Sequence, residues 1–127
     1  MEITHFGGKE ECNSIEELYA ILKKRYGNNA NEFWISYNEK VPCLGVMVKD
    51  KYAYIQYFPD KDSAGFVGMT NDSDLPLDEI VIFYTNTINE EIEVFNEMVV
   101  PFSKAEEVIV EFYNNSTMSE CLKWNEL

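Results

Sequence analysis

Phe33-Trp34-Ile35-Ser36-Tyr37, Leu44-Gly45-Val46-Met47-Val48 and Tyr52-Ala53-Tyr54-Ile55-Gln56-Tyr57-Phe58 are the runs that decide the fold. All three are rich in aromatic and β-branched residues, which suit a pleated, half-buried surface. Breaks of Asn, Glu, Lys and Pro, and then Lys49-Asp50-Lys51, separate them, so the reading is an antiparallel meander. No proline falls inside a run, and every ladder donor is present.

Upstream, residues 1–6 read as a short edge strand ended by Gly7-Gly8. Ser14 and Glu17 have capping-box spacing, as do Asn13 and Glu16, and predict a helix start. Ile15, Leu18, Tyr19, Leu22 and Tyr26 follow at helical spacing and predict one buried face. Lys23-Lys24-Arg25 would sit in its last turn, facing the negative end of the helix dipole, with Gly27 as the C′ residue. A phosphate-binding patch is the functional alternative for these three cations.

Downstream, residues 59–65 are turn-rich, and 65–69 read as a short strand. Residues 79–85, Glu-Ile-Val-Ile-Phe-Tyr-Thr, form a near-continuous apolar run and read as a central strand buried on both faces. Residues 91–95 alternate and read as a half-exposed strand. Val100-Pro101-Phe102 leads into a second helix, with a capping box at Ser103 and Glu106 and an apolar stripe of Ala105, Val108, Ile109 and Phe112. Trp124 reads as a plug whose indole N–H finds a carbonyl. The expected architecture is one α+β domain over residues 1–127, with an antiparallel sheet of about five to six strands and two packed helices.

A chain of 127 residues can bury a self-sufficient core. Its 46% hydrophobic and 14% aromatic content excludes a disordered chain. Cys12, Cys43 and Cys121 are odd in number and widely spaced, which argues for a reducing compartment. No basic-then-apolar leader and no membrane-length apolar run is visible, so the expected location is cytoplasmic.

The residue types for several chemistries are missing. His5 is the single histidine, so a catalytic triad would have to use it, and transition-metal sites want more His and Cys than are present. Asp72-Ser73-Asp74 opens like a calcium loop, but Leu77 replaces the required glycine and Phe83 the final glutamate. No phosphate-cradling glycine loop occurs. The expectation is no catalytic residue, no metal and no cofactor.

Charge is the strongest signal. There are 23 acidic residues against 10 basic ones, a formal charge of −13. Such a chain repels nucleic acid and anionic membranes and attracts basic proteins. Between Pro59 and Glu97 the acids are Asp60, Asp62, Asp72, Asp74, Asp78, Glu79, Glu90, Glu91, Glu93 and Glu97, against Lys61 alone. If the loops share an edge, they make an anionic face that imitates a phosphate backbone. Solvated turns, which attract Asp and Asn, are the plainer account. The residues expected to meet a partner are Asp60, Asp62, Asp72, Asp74, Asp78, Glu79, Glu90 and Glu91. Exposed tyrosines, Tyr57 foremost with Tyr37 and Tyr84, are the expected anchors.

Several features in order resemble the Imm-one family of small immunity proteins from bacterial polymorphic toxin systems. They are the helix capped at Ser14, Phe33-Trp34-Ile35, the strand pair around Asp50, Tyr57-Phe58-Pro59, the Val100-Pro101 lead into the Ala105…Glu111-Phe112 helix, and Trp124. The chain departs from that pattern in residues 114–120, where a glycine turn and a proline are expected. The resemblance implies a non-enzymatic cytoplasmic protein that binds one cognate toxin domain, often a nucleic-acid-targeting deaminase or nuclease. It transfers no catalytic residue. The partner expected is a basic protein domain, not nucleic acid or membrane, with monomer and homodimer both open. A small carboxylate-dependent enzyme and a general adaptor domain are the alternatives.

Overall fold

A computed structural model of the chain describes residues 1–37, 39–71 and 73–127. The meander is present as β3 (Ala30–Ser36), β4 (Cys43–Lys49) and β5 (Tyr52–Phe58). Phe33 lies opposite Val46 and Val46 opposite Ile55, so one face of three strands carries a continuous apolar row. β1 (Glu2–His5) pairs with β3, and β2 (Gly8–Glu11) forms the edge beyond it. On the other side, β6 (Phe66–Met69) pairs with β5, and β10 (Lys123–Glu126) pairs with β6. β9 (Val100–Pro101) pairs with the start of β5.

Among the described residues the main sheet therefore has eight strands, more than the expected five to six. β2, β9 and β10 are the unforeseen ones. They are two to four residues long, and their sequences, such as Gly-Lys-Glu-Glu, carry no strand pattern. Tertiary pairing alone makes them strands.

Both helices pack on one face. α1 (Ile15–Leu22) starts where Ser14 Oγ accepts from the Glu17 N–H at 3.1 Å, and Glu17 reaches back to accept from Asn13 N–H at 2.7 Å. The helix stops at Leu22, earlier than expected, so Tyr26 and Gly27 lie beyond it and Tyr19 is exposed. Arg25 Nη1 donates to Leu22 O at 2.7 Å, and its guanidinium lies 4.8 Å from the Phe102 ring centroid. Lys24 pairs with Glu10 at 2.9 Å. Arg25 and Lys24 are thus engaged locally, one closing the helix and the other holding β2.

α2 (Phe102–Asn115) begins two residues before the Ser103 capping box would place it, with Pro101 at the cap position. The Phe102 N–H donates instead to Lys51 O at 2.7 Å, which ties the helix start to the β4–β5 turn. Ser116, in the left-handed region at φ 57°, ends it. Leu18 and Leu22 from α1 and Ala105, Val108, Ile109 and Phe112 from α2 meet Ile3, Phe33, Ile35, Leu44, Val46 and Ile55 in one core. Trp124 closes it as expected. Its Nε1–H donates to Ser119 O at 2.6 Å, and its ring stands edge-on to Tyr57.

The opposite face carries a separate hairpin, β7 (Ile80–Tyr84) with β8 (Glu91–Phe95). The reading of residues 79–85 as a central strand buried on both faces is overturned. β7 belongs to a two-stranded sheet, and Ile80 and Ile82 are exposed. The strand buried on both faces is β4, whose Leu44–Val48 has helices on one side and the hairpin on the other. β8 is more open than expected, with only Val94 buried.

Candidate functional site

The hairpin is closed on itself at its base and tied to the main sheet at its turn. At its base, Asn96 is buried, donates through Nδ2 to Pro76 O at 2.6 Å, and its N–H donates to Glu79 O at 3.0 Å. At its turn, Glu32 of β3 accepts from Thr85 Oγ1 at 2.5 Å and from the Asn86 N–H at 3.0 Å. Met47, Phe83, Val94 and Val99 fill a small second core beneath it.

The acids expected to meet a partner are exposed wherever they are described, but they do not share one edge. Asp60 and Asp62 lie in the turn after β5, where Asp60 Oδ1 accepts from the Asp62 N–H at 2.9 Å and both border a groove with Glu126. The others follow the hairpin. Asp74, Asp78, Glu79 and Glu97 surround its base, Glu91 and Glu93 lie on β8, and Glu90 stands at the turn, accepting from Asn86 Nδ2 at 2.8 Å. Asp72 lies outside the described residues.

The tyrosine anchors are a correction. Tyr57 is 9% exposed, sits in the helix-side core and donates to Ser116 O at 3.4 Å. Tyr84 is buried, and Tyr37 is half-buried with its hydroxyl on Tyr113 O. Burial holds the Tyr37 and Tyr57 phenols above their ordinary range. In β5, Tyr57 falls in the inward row with Ala53 and Ile55, so period-2 alternation was the signal available for it.

The exposed apolar side chains are different ones. Ile80 lies opposite Phe95, and Ile82 opposite Glu93, so register places these four on one face of the hairpin. Phe95 is 59% exposed, and Leu77, just before β7, is 71% exposed. Asp78, Glu79, Glu93 and Glu97 adjoin this strip in sequence or register. An apolar centre with a polar rim is the anatomy of a protein interface.

Beside β8 a cleft of about 350 Å³ opens between hairpin and sheet. Its floor is two cross-strand rows, Glu32–Met47–Tyr54 and Trp34–Gly45–Gln56. Gly45 is required there, because a Cβ would come within 2.7 Å of the Trp34 indole lying across it. Trp34 remains 43% exposed. Glu32 was missed by the sequence reading because a glutamate on the outward row of a strand looks solvated. It is 7% exposed only because the hairpin covers it.

Other reactive groups are quiet. His5 is buried; its Nδ1 accepts from the Gly7 N–H at 3.0 Å and Nε2 meets Glu10 at 2.5 Å. Burial pushes the Cys12 and Cys43 thiols up, away from the nucleophilic thiolate. Among the described residues no three His, Cys, Asp or Glu side chains form a metal-holding group, and no helix is long and apolar enough to cross a membrane.

The described residues thus form a three-layer α+β fold whose most distinctive surface is a hairpin with an acid-bordered apolar strip. No family model matches the chain. It is 25% identical over 123 residues, 96% of its own length and 96% of the relative's, to a protein of Burkholderia cenocepacia (strain H111) named double-stranded DNA deaminase immunity protein.

Proposed function

We propose that this chain is an immunity protein that binds a cognate toxin domain and blocks its action. The observation that carries the reading is the likeness to a deaminase immunity protein along nearly the whole of both chains, which spans both helices, the sheet and the hairpin. A toxin of this kind acts on nucleic acid, so its substrate surface has to be basic. The acids along the hairpin complement such a surface, speed encounter, and occupy the place of phosphates. Leu77, Ile80, Ile82 and Phe95 supply the desolvated centre that acids alone cannot. Asp74, Asp78, Glu79, Glu90, Glu91, Glu93 and Glu97 supply the rim, and Asp60 and Asp62 act from a distance. The protein works where the toxin finds its nucleic acid, in the cytoplasm, and carries out no chemistry itself. A carboxylate-dependent enzyme is the weaker reading, since register sets Glu93 on the outer face of the hairpin and leaves Glu32 without a paired carboxylate in the cleft.

The test is to purify the toxin domain encoded beside this gene, measure its binding, and ask whether co-expression restores growth to cells making the toxin. Binding of the standard interface size, about 1,200–2,000 Å², together with rescued growth, is the expected result. A toxin domain that is neither bound nor restrained would overturn the proposal.

A further inference from the structure

We infer that the cleft beside β8 is a receptor for one arginine side chain presented by the protein partner, a proposal that rests on the toxin-binding reading for the identity of that partner. Glu32 is the reason. It is a buried carboxylate whose recorded hydrogen-bond donors, the Thr85 hydroxyl and the Asn86 N–H, are both neutral. Among the described residues no Lys or Arg forms a salt bridge with it. Two donors leave about half of the four lone-pair positions of a carboxylate open.

The rest of the lining suits the stem and face of an arginine. Met47 and Ile92 offer apolar surface for the methylenes, and Trp34 offers an exposed indole. Gln56 adds a neutral acceptor. A planar guanidinium can stack on an indole while forking onto a carboxylate, which an ammonium cannot do. The cleft volume of about 350 Å³ holds one such side chain with room for water.

A titration of the free chain with N-acetyl-arginine methylamide tests this, read at the Trp34 indole N–H by NMR. The chain has two tryptophans, and a W34F variant identifies the signal. The expected result is a saturating shift with arginine, none with the uncharged citrulline analogue, and at least about threefold weaker binding in Gln56→Ala. An unmoved signal, or equal shifts from arginine and citrulline, overturns the site. Glu32→Gln would also loosen the hairpin, so Gln56→Ala and Trp34→Ala carry the second arm. With the toxin domain, each is expected to raise the dissociation rate about tenfold. Unchanged dissociation overturns the arginine receptor and leaves the immunity reading standing. Failure of the wild-type chain to bind the toxin overturns that reading, and the arginine titration still decides the cleft.

Discussion

On the helix side of the sheet, Phe33, Ile35, Leu44, Val46, Ile55 and Phe112 are fully buried and their neighbours are hydrocarbon. On the hairpin side, Met47, Phe83, Val94 and Val99 make a core of four, flanked by a buried carboxylate and an open cleft. Both faces belong to the same three strands. The first is built to hold the fold, and the second leaves surface uncovered. An exposed strip of Leu77, Ile80, Ile82 and Phe95 adds nothing to the fold and is costly to leave in water, which is reason to expect a partner over it.

The largest expected effect separates the faces by stability. Phe112→Ala should cost about 3–5 kcal/mol, with a fall in melting temperature and no specific loss of binding by the molecules still folded. Calorimetry beside a binding assay reads both. If Phe83→Ala lowered the melting temperature as much, the division between a structural and a presenting face would fail.

Phe95→Ala should do the reverse. In the proposed binding mode its loss should weaken toxin binding by about 2 kcal/mol or more, roughly thirtyfold, while the melting temperature stays put. Thr85→Val removes a donor from buried Glu32 and should cost about 1–3 kcal/mol, concentrated in the hairpin. Hydrogen exchange that is faster in residues 80–95 than in α2 would show this. Uniform acceleration would mean that the hairpin opens only with the whole fold.

Charge reversal sharpens the comparison within the surface. Glu91→Lys with Glu97→Lys should lower the association rate at low salt by about tenfold, and added salt should erase the difference. Asp60→Lys with Asp62→Lys, at the separate turn, should change it less. Equal effects would mean that net charge alone steers the encounter.

The smallest effect belongs to the edge. The Glu10 carboxyl is held below its ordinary range, first by the His5 hydrogen bond and then by Lys24. A depressed carboxyl stabilises the fold above its ordinary pKa, and that contribution is lost as pH falls through the folded value. Wild type should therefore lose melting temperature below about pH 4.5 more steeply than Glu10→Gln.

The features legible in the sequence were local ones. The Ser14 cap, the meander, the apolar stripe of α2 and the Trp124 plug each depend on residues a few positions apart, and each formed. Acids in turns were exposed for the same reason, since Asp and Glu remain solvated unless something covers them. Tertiary structure decided the rest, because burial on a strand's second face is set by what lands on it. Leu44–Val48 and Ile80–Tyr84 are similar apolar runs. The first became the doubly buried strand because helices and a hairpin closed over it, while the second, paired only with β8, kept Ile80 and Ile82 in water. Glu32 reads as a solvated residue and is buried by a turn more than fifty positions away. Local pattern fixes which way a side chain points; only long-range packing fixes whether anything is there to meet it.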